Sequence, residues 1–206
     1  MLQLDRLLLS EPSDGASAIV ILDGLSNQIT LTVTKLPQYR STPAAGEGPK
    51  PPLLKYLEER GVTLSDLVQT ALELFVPHPG VEDKQKATEM IIQEFNDALS
   101  DVNVSCMIVA CYRAEEDAKA GLVPGLTRER FLGRPGLVAD ELLGMTIANY
   151  IAGAKGTFEF IRFDQNKPGI LSKLGPLTND AVGGLIAGCS SNMYSQALRQ
   201  SAGRHD

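Results

Sequence analysis

Two adjacent carboxylates, Asp140 and Glu141, interrupt an otherwise apolar segment of the chain. Consecutive residues of a helix point about 100° apart, and hydrophobic neighbours cover most of the remaining circumference. We therefore expect at least one of the two carboxylates to be buried or to line a cleft. Burying an unpaired carboxylate is costly, so a metal ion or a basic partner is expected beside it. Alternatively, both carboxylates stabilise the N-terminus of a helix.

Two further segments pair polar side chains that could bind a metal or a phosphate. Asp164 and Lys167 lie three residues apart, before a Pro-Gly pair. Lys167 could contact phosphate and Asp164 a metal, or the two could form a salt bridge on one helical turn. Asn179 and Asp180 follow Thr178, and their oxygens could bind magnesium. The alternative is that they cap the first turn of a helix.

The charges around these segments favour a magnesium–phosphate site. Residues 127–175 hold seven basic and five acidic residues, whereas residues 53–120 are net acidic. Carboxylates among basic residues suit a site in which a metal ion offsets the charge of a substrate phosphate. Neither G-x-x-x-x-G-K-[ST] nor G-x-G-x-x-G occurs in the sequence. The two histidines, His78 and His205, are too few for a multi-histidine metal site, and neither is positioned for a Ser-His pair.

The composition narrows the function classes further. The 206 residues carry a net charge of -6, which argues against a general nucleic-acid binder. Three cysteines without a Cys-x-x-Cys motif indicate neither a disulfide framework nor a thiolate zinc site, so any metal should be a hard ion such as magnesium. The N-terminus does not resemble a signal peptide. The uncharged stretch 181–198 contains polar residues, which indicates a buried helix rather than a membrane span. We expect a cytoplasmic protein.

The first 52 residues differ from the rest in their residue pattern, which is strand-like and then proline-rich. Residues 16–36 predict a β-hairpin, because an apolar run at 18–22 is followed by strict alternation at 29–34. A lone hairpin is marginal in water, so we expect it to cover a helix or to meet another copy's hairpin in a homodimer or higher homo-oligomer. Residues 37–52 hold five of the twelve prolines and predict a linker or an extended arm. The predicted domains are therefore residues 1–52 and 53–206.

From residue 53 onward the patterns predict an all-α domain. Six helices are expected, at 53–60, 63–77, 82–99, 102–119, 136–153 and 178–200. The last of them carries small residues at helical spacing, at Ala181, Gly184, Gly188 and Ser191. Glycine within a helix costs about 1 kcal/mol relative to alanine, so several in one helix favour close approach of its neighbours. We expect this small-residue helix to be central.

The order of these motifs resembles that of the phosphatidylglycerophosphatase A family, which includes soluble members related to the archaeal α-ribazole-5'-phosphate phosphatase of cobalamin synthesis. Three short blocks carry the resemblance, which extends over about residues 53–200: Asp140-Glu141 followed by Gly144, Asp164-x-x-Lys167-Pro168, and Asn179-Asp180. There are two departures. Asn179 replaces the first Asp of the family's Asp-Asp pair. Ile161 stands where the membrane enzymes carry an Arg, and Arg162 is one place off.

The resemblance implies an all-helical, magnesium-dependent phosphomonoesterase. It implies catalytic roles for Asp140, Glu141 and Asp180, and substrate binding by Lys167 and Arg162. The implied metal ligands are Asp140, Glu141, Asp164, Asn179 and Asp180.

The substrate is left open between two phosphate esters. The expected substrate is a small soluble ester such as α-ribazole 5'-phosphate, because the sequence shows neither a spanning segment nor a basic amphipathic helix. One alternative is phosphatidylglycerophosphate, which belongs to lipid metabolism. Another is a non-catalytic helical binding protein that has lost part of the metal site at Asn179.

Overall fold

The chain divides into two compact units, Met1–Ala44 and Ala45–Asp206. A computed structural model describes residues 50–133 and 136–202, together with the backbone of two short strands. In the first unit, β1 (Ile19–Leu22) and β2 (Ile29–Thr32) pair antiparallel, with Ile19 opposite Thr32. The rest of residues 16–36 and most of the proline-rich segment lie outside the described residues. The packing of the hairpin and its role in an oligomer therefore stay predictions.

The described part of the second unit is built from helices, which confirms the predicted predominance of α structure. The elements are α1 (Pro52–Glu58), α2 (Leu64–Glu73), α3 (Lys84–Ser100), α4 (Val102–Ala120), α5 (Arg128–Leu132), α6 (Ala139–Ala152), α7 (Ala154–Asn166), a 3-10 helix (Gly169–Lys173) and α8 (Pro176–Ala202). None of the helices in the described ranges is both long enough and apolar enough to cross a bilayer.

Local side-chain signals fix several helix ends. Thr63 and Asp66 form a reciprocal capping box at the start of α2, with the Asp66 N–H donating to the Thr63 hydroxyl over 3.1 Å. The Asp101 carboxylate accepts hydrogen bonds from the first turn of α4. Gly121 ends α4 in the left-handed conformation, with φ 73°. These ends follow from the nearest residues alone.

Two helices, α5 and α7, fall outside the six that the sequence predicts. α5 has only five residues, too few for a recognisable period. α7 follows α6 after the single residue Gly153 (φ 65°), and it contains a second glycine, Gly156. That glycine disfavours a helix locally, but a Cβ there would lie 2.2 Å from the Ala148 carbonyl oxygen. The close packing of α7 on α6 therefore requires it.

α8 lies at the centre of the second unit. From Leu177 to Ser191 every residue except Asn179 is buried, and the helix packs against α3, α4, α6 and α7. It begins at Pro176, two residues before the predicted cap, Thr178, whose hydroxyl instead accepts a hydrogen bond from the Gly175 N–H over 3.1 Å. All sides of α8 face other helices, which explains the low polarity of its first half.

The contacts of two glycines on α8 show in which direction the neighbouring helices run. Gly144 of α6 meets Gly184 of α8, and Ile151 of α6 meets Gly188 further along. Because both positions advance together, α6 and α8 run parallel. α7 runs back in the opposite direction and packs against both of them. The N-termini of α6 and α8 and the C-terminus of α7 therefore lie at one end of the bundle.

Candidate functional site

The three predicted polar blocks meet at this shared end of α6, α7 and α8. Asp140 and Asp180 each stand one helical turn before a glycine of the Gly144–Gly184 contact, so the two carboxylates project from the neighbouring N-terminal ends of α6 and α8. Asp164 lies in the last turn of α7. The tight glycine contact thus brings Asp140 and Asp180 near each other, and the end of α7 adds Asp164.

Lys167 lies at the centre of this cluster. Its ammonium donates to Oδ1 of Asp164 over 2.5 Å, and also to Oδ1 of Asn179 and Oδ1 of Asp180. The backbone of Lys167 has φ 42° and ψ 52°, the left-handed conformation that ends α7. Within the described ranges, Lys167 is the single non-glycine residue with positive φ. This strained turn brings the ammonium to the N-terminal end of α8.

Asp180 is the most buried carboxylate of the cluster, with 3% of the residue exposed. Burial raises the pKa of Asp180 to about 6; the hydrogen bond and charge of Lys167 oppose the rise, while the charges of Asp164 and Asp140 add to it. Burial lowers the pKa of Lys167, but its hydrogen bonds to Asp164 and Asp180 outweigh this, so that pKa lies above its ordinary value. The ammonium therefore stays charged.

The remaining predicted site residues lie at the edge of the cluster or outside it. Asp140 is half-buried, and its charge acts on Asp180. Glu141 is exposed on the first turn of α6. The guanidinium of Arg162 turns away to Glu159, at 2.7 Å, and to the carbonyl oxygen of Leu74, at 2.8 Å. The structure thus joins Lys167 with Asp164, Asn179 and Asp180, and it does not bring Arg162 to them.

A further carboxylate that the sequence interpretation missed, Glu115 of α4, supports this end of α8. Its side chain is 4% exposed. Oε2 accepts hydrogen bonds from the N–H and the hydroxyl of Thr178, each 2.9 Å long, and Oε1 pairs with Lys119 at 2.6 Å. Glu115 therefore caps the N-terminus of α8 from another helix, immediately before Asn179 and Asp180.

One signal in the sequence could have revealed Glu115. The buried residues of α4 recur at intervals of three and four: Val104, Ile108, Cys111, Glu115 and Ala118. Glu115 is the charged member of this otherwise apolar or small stripe. A carboxylate on the core face of a helix requires a buried partner, and that requirement alone would have marked it.

The donor atoms of the cluster suit a hard cation. No group of three or more His, Cys, Asp or Glu side chains that could hold a metal occurs within residues 50–133 and 136–202. Three oxygens, from two carboxylates and one amide, nevertheless converge on the Lys167 ammonium. Oxygens of this kind are the ligands that magnesium prefers. The donor set therefore fits Mg²⁺, and the cation that it holds here is an ammonium.

Comparison with known proteins finds a relative of the chain by sequence. No family model matches it. The uncharacterized protein MJ1330 of Methanocaldococcus jannaschii is 34% identical over 116 residues, which span 54% of this chain and 85% of that protein. The chain belongs to the same family as MJ1330. Membership of the MJ1330 family assigns no activity, because that relative is itself uncharacterized.

Solved structures share the helical fold of this MJ1330 family member. The low temperature requirement C protein of Listeria monocytogenes is similar with a TM-score of 0.57 and 25% identity, over 75% of this chain and 95% of that one. A protein of unknown function from Bacillus stearothermophilus is similar with a TM-score of 0.58 and 24% identity, over 70% and 96%. The similarity covers nearly the whole length of both neighbours.

Proposed function

We propose that the protein is a magnesium-dependent phosphomonoesterase, a member of the soluble branch of the phosphatidylglycerophosphatase A family. One observation carries the proposal: oxygens of Asp164, Asn179 and Asp180, from two separate blocks, converge on one cation beside Asp140 of the third block. The order of the three blocks along the chain supports it as well.

The proposed roles follow from the positions of the side chains. Asp164, Asn179 and Asp180 would hold the ion, with Asp140 and Glu141 at its open side. A bound magnesium ion would offset the charge of the phosphate and polarise its oxygens. Lys167 binds the phosphate as a point charge, and the parallel N-termini of α6 and α8 favour the same anion. Asp140, at the edge of the cluster, accepts a proton from the attacking water.

The proposed substrate is a small soluble phosphate ester such as α-ribazole 5'-phosphate, in the cytoplasm. Phosphatidylglycerophosphate is the competing substrate, since both present the same terminal phosphate. A phosphate-release assay on each ester, with Mg²⁺ and with a chelator, separates the two. Release from the ribazole ester alone supports the proposal. Release from the lipid alone supports phosphatidylglycerophosphate as the substrate. Release from neither ester rejects both substrates.

The occupied cation position favours a second candidate, a helical binding protein without catalysis. Lys167 already neutralises the cluster, and Asn179 supplies a neutral oxygen where the resembling family has a carboxylate. In that case the cluster is a structural ion pair. The wild type would then neither bind Mg²⁺ calorimetrically nor release phosphate from any monoester.

A further inference from the structure

The oxygens of Asp164, Asn179 and Asp180 hold a cation that belongs to the chain itself. Lys167 Nζ contacts all three oxygens, which come from α7 and from the N-terminal end of α8. These two segments meet only in the folded chain, so the oxygens form a preassembled point for one positive charge. An ammonium and a magnesium ion cannot share that point, because the metal needs oxygens at about 2.1 Å and the two charges repel.

The side chain of Lys167 can leave this point without unfolding the chain. It is 34% exposed, whereas the side chain of Asp180 is 3% exposed. Its backbone is fixed independently of the ammonium, because the Lys167 N–H donates to the Phe163 carbonyl oxygen over 2.8 Å and Pro168 follows. A lysine stem has four rotatable bonds, so its charged end can move to solvent while the main chain stays in place.

We infer that Lys167 is an intramolecular counter-ion that competes with a divalent cation for the oxygens of Asp164, Asn179 and Asp180. Once displaced, its ammonium faces the anion that accompanies the ion, which under the proposed function is the phosphate of the substrate. The inference deepens the proposed function and rests on its cation site. The exchange keeps Asp180 neutralised with or without metal, and a buried unpaired carboxylate would otherwise destabilise the fold strongly.

Calorimetric titration with MgCl₂ tests the competition directly. The variants are Lys167→Met, which keeps most of the length of the side chain and removes the charge, and Lys173→Met as the matched control. Lys173 is exposed on the 3-10 helix and lies outside the cluster. We expect Lys167→Met to bind Mg²⁺ at least about tenfold more tightly than the wild type, since one competing charge is gone. Lys173→Met should change the affinity less than about twofold.

Nuclear magnetic resonance of the lysine ammonium groups gives a second readout, on the wild type alone. An ammonium held by three oxygens exchanges its protons slowly enough to be seen, and we expect the Lys167 signal to disappear as Mg²⁺ saturates the protein. Equal or weaker Mg²⁺ binding by Lys167→Met overturns the inference, as does a Lys167 signal that persists at saturation. If Lys167→Met does not fold, Lys167→Gln replaces it and the wild-type spectrum still decides.

The outcomes also separate this inference from the proposed phosphatase. Tighter Mg²⁺ binding by Lys167→Met together with a wild type that hydrolyses no monoester supports the counter-ion and rejects the enzyme. Phosphate release that depends on Mg²⁺, without tighter binding by Lys167→Met, supports the enzyme and rejects the counter-ion. Absence of Mg²⁺ binding in every variant rejects both.

Discussion

Gly175 and Glu115 lie so close that a Cβ on the glycine would stand 2.0 Å from Oε1 of the glutamate. The contact joins α4 to the residue that precedes α8, across 60 positions of the chain. Any larger residue at 175 must displace this carboxylate, whose Oε2 accepts the N–H of Thr178. The absence of a side chain at Gly175 is thus a condition for the geometry of Asn179 and Asp180.

Replacing Glu115 by Gln should lower the free energy of unfolding by about 1–3 kcal/mol, because a buried charge-assisted cap becomes neutral and Lys119 loses its partner. Urea unfolding measures the loss. The matched control is Glu116→Gln: this neighbour forms exposed ion pairs with Arg113 and Arg60, which contribute about 0–1 kcal/mol. Equal losses for both variants would contradict the capping role.

Gly175→Ala tests the same contact from its other side. Overpacking a well-packed position costs about 1–3 kcal/mol, and at the half-buried Gly175 the crowded group is the buried Glu115 carboxylate. The double variant Gly175→Ala, Glu115→Gln should lose clearly less unfolding free energy than the sum of the losses of the two single variants, since both substitutions act through one contact. A double-mutant cycle in urea gives the coupling. Strict additivity would show that the two residues act independently.

Gly184 and Gly183 are neighbours on α8 with opposite expectations. A Cβ on Gly184 would lie 2.2 Å from the Gly144 carbonyl oxygen, whereas a Cβ on Gly183 meets nothing nearer than 3.5 Å. We expect Gly184→Ala to destabilise by at least about 2 kcal/mol through separation of α6 and α8. Gly183→Ala should be neutral or stabilise by up to about 1 kcal/mol, from helix propensity. Thermal unfolding of the two variants tests this expectation. A Gly183→Ala variant less stable than Gly184→Ala would contradict the close packing of α6 on α8.

Glu94 should make stability depend on pH. Burial raises the pKa of Glu94, and a hydrogen bond with Asn192 opposes the rise; Asp97 on the same helix and Arg199 on α8 also act on it. The charged form therefore costs stability above the folded pKa, and this cost vanishes below the ordinary pKa of 4.5. Glu94→Gln should raise the Tm at pH 7 and leave it unchanged at pH 3.

The control for Glu94 is Glu89→Gln, an exposed glutamate on the same helix. It removes the same charge from α3 without a buried environment. Melting curves of wild type and both variants from pH 3 to pH 8 separate the two effects. A gain in Tm that is the same at pH 3 and pH 7 would mean that the effect of Glu94→Gln does not come from its ionisation.

Asn179→Asp should tighten the binding of Mg²⁺, because a carboxylate replaces a neutral amide oxygen beside Asp180. Negative charge in the first turn of a helix is favourable, while the bond from Asn179 to the Gly175 carbonyl is lost, so stability should change by less than about 1 kcal/mol. Calorimetry measures the binding. Gln200→Glu adds the same charge at the exposed far end of α8 and should leave the affinity unchanged.

The sequence predicted those features whose causes lie within a few residues. The capping box of Thr63 and Asp66 and the start of α4 at Asp101 depend on neighbours in the chain, and both occur where expected. The start of α8 was predicted wrongly. Its cap, Glu115, is 63 positions away from Thr178, and no local pattern contains that distance.

The candidate site shows the same division. The three blocks could be found in the sequence because each is a short run of polar residues. The sequence could not show that Lys167 would lie between Asp164 and Asp180, because that depends on a left-handed turn at the end of α7. Nor could it show that Arg162, only two residues from Asp164, would turn to Leu74. Side-chain direction at a helix end follows from packing rather than from spacing.

The central position of α8 has a consequence for synthesis on the ribosome. The helix around which α3, α4, α6 and α7 pack is the last helix in the described part of the chain. While the preceding helices emerge, the faces of α3, α4, α6 and α7 that pack on α8 stay uncovered until residues 176–202 follow. Domains generally fold as units during translation. The second unit must therefore complete its folding only after residues 176–202 have been made, and until then the uncovered faces are open to holding chaperones.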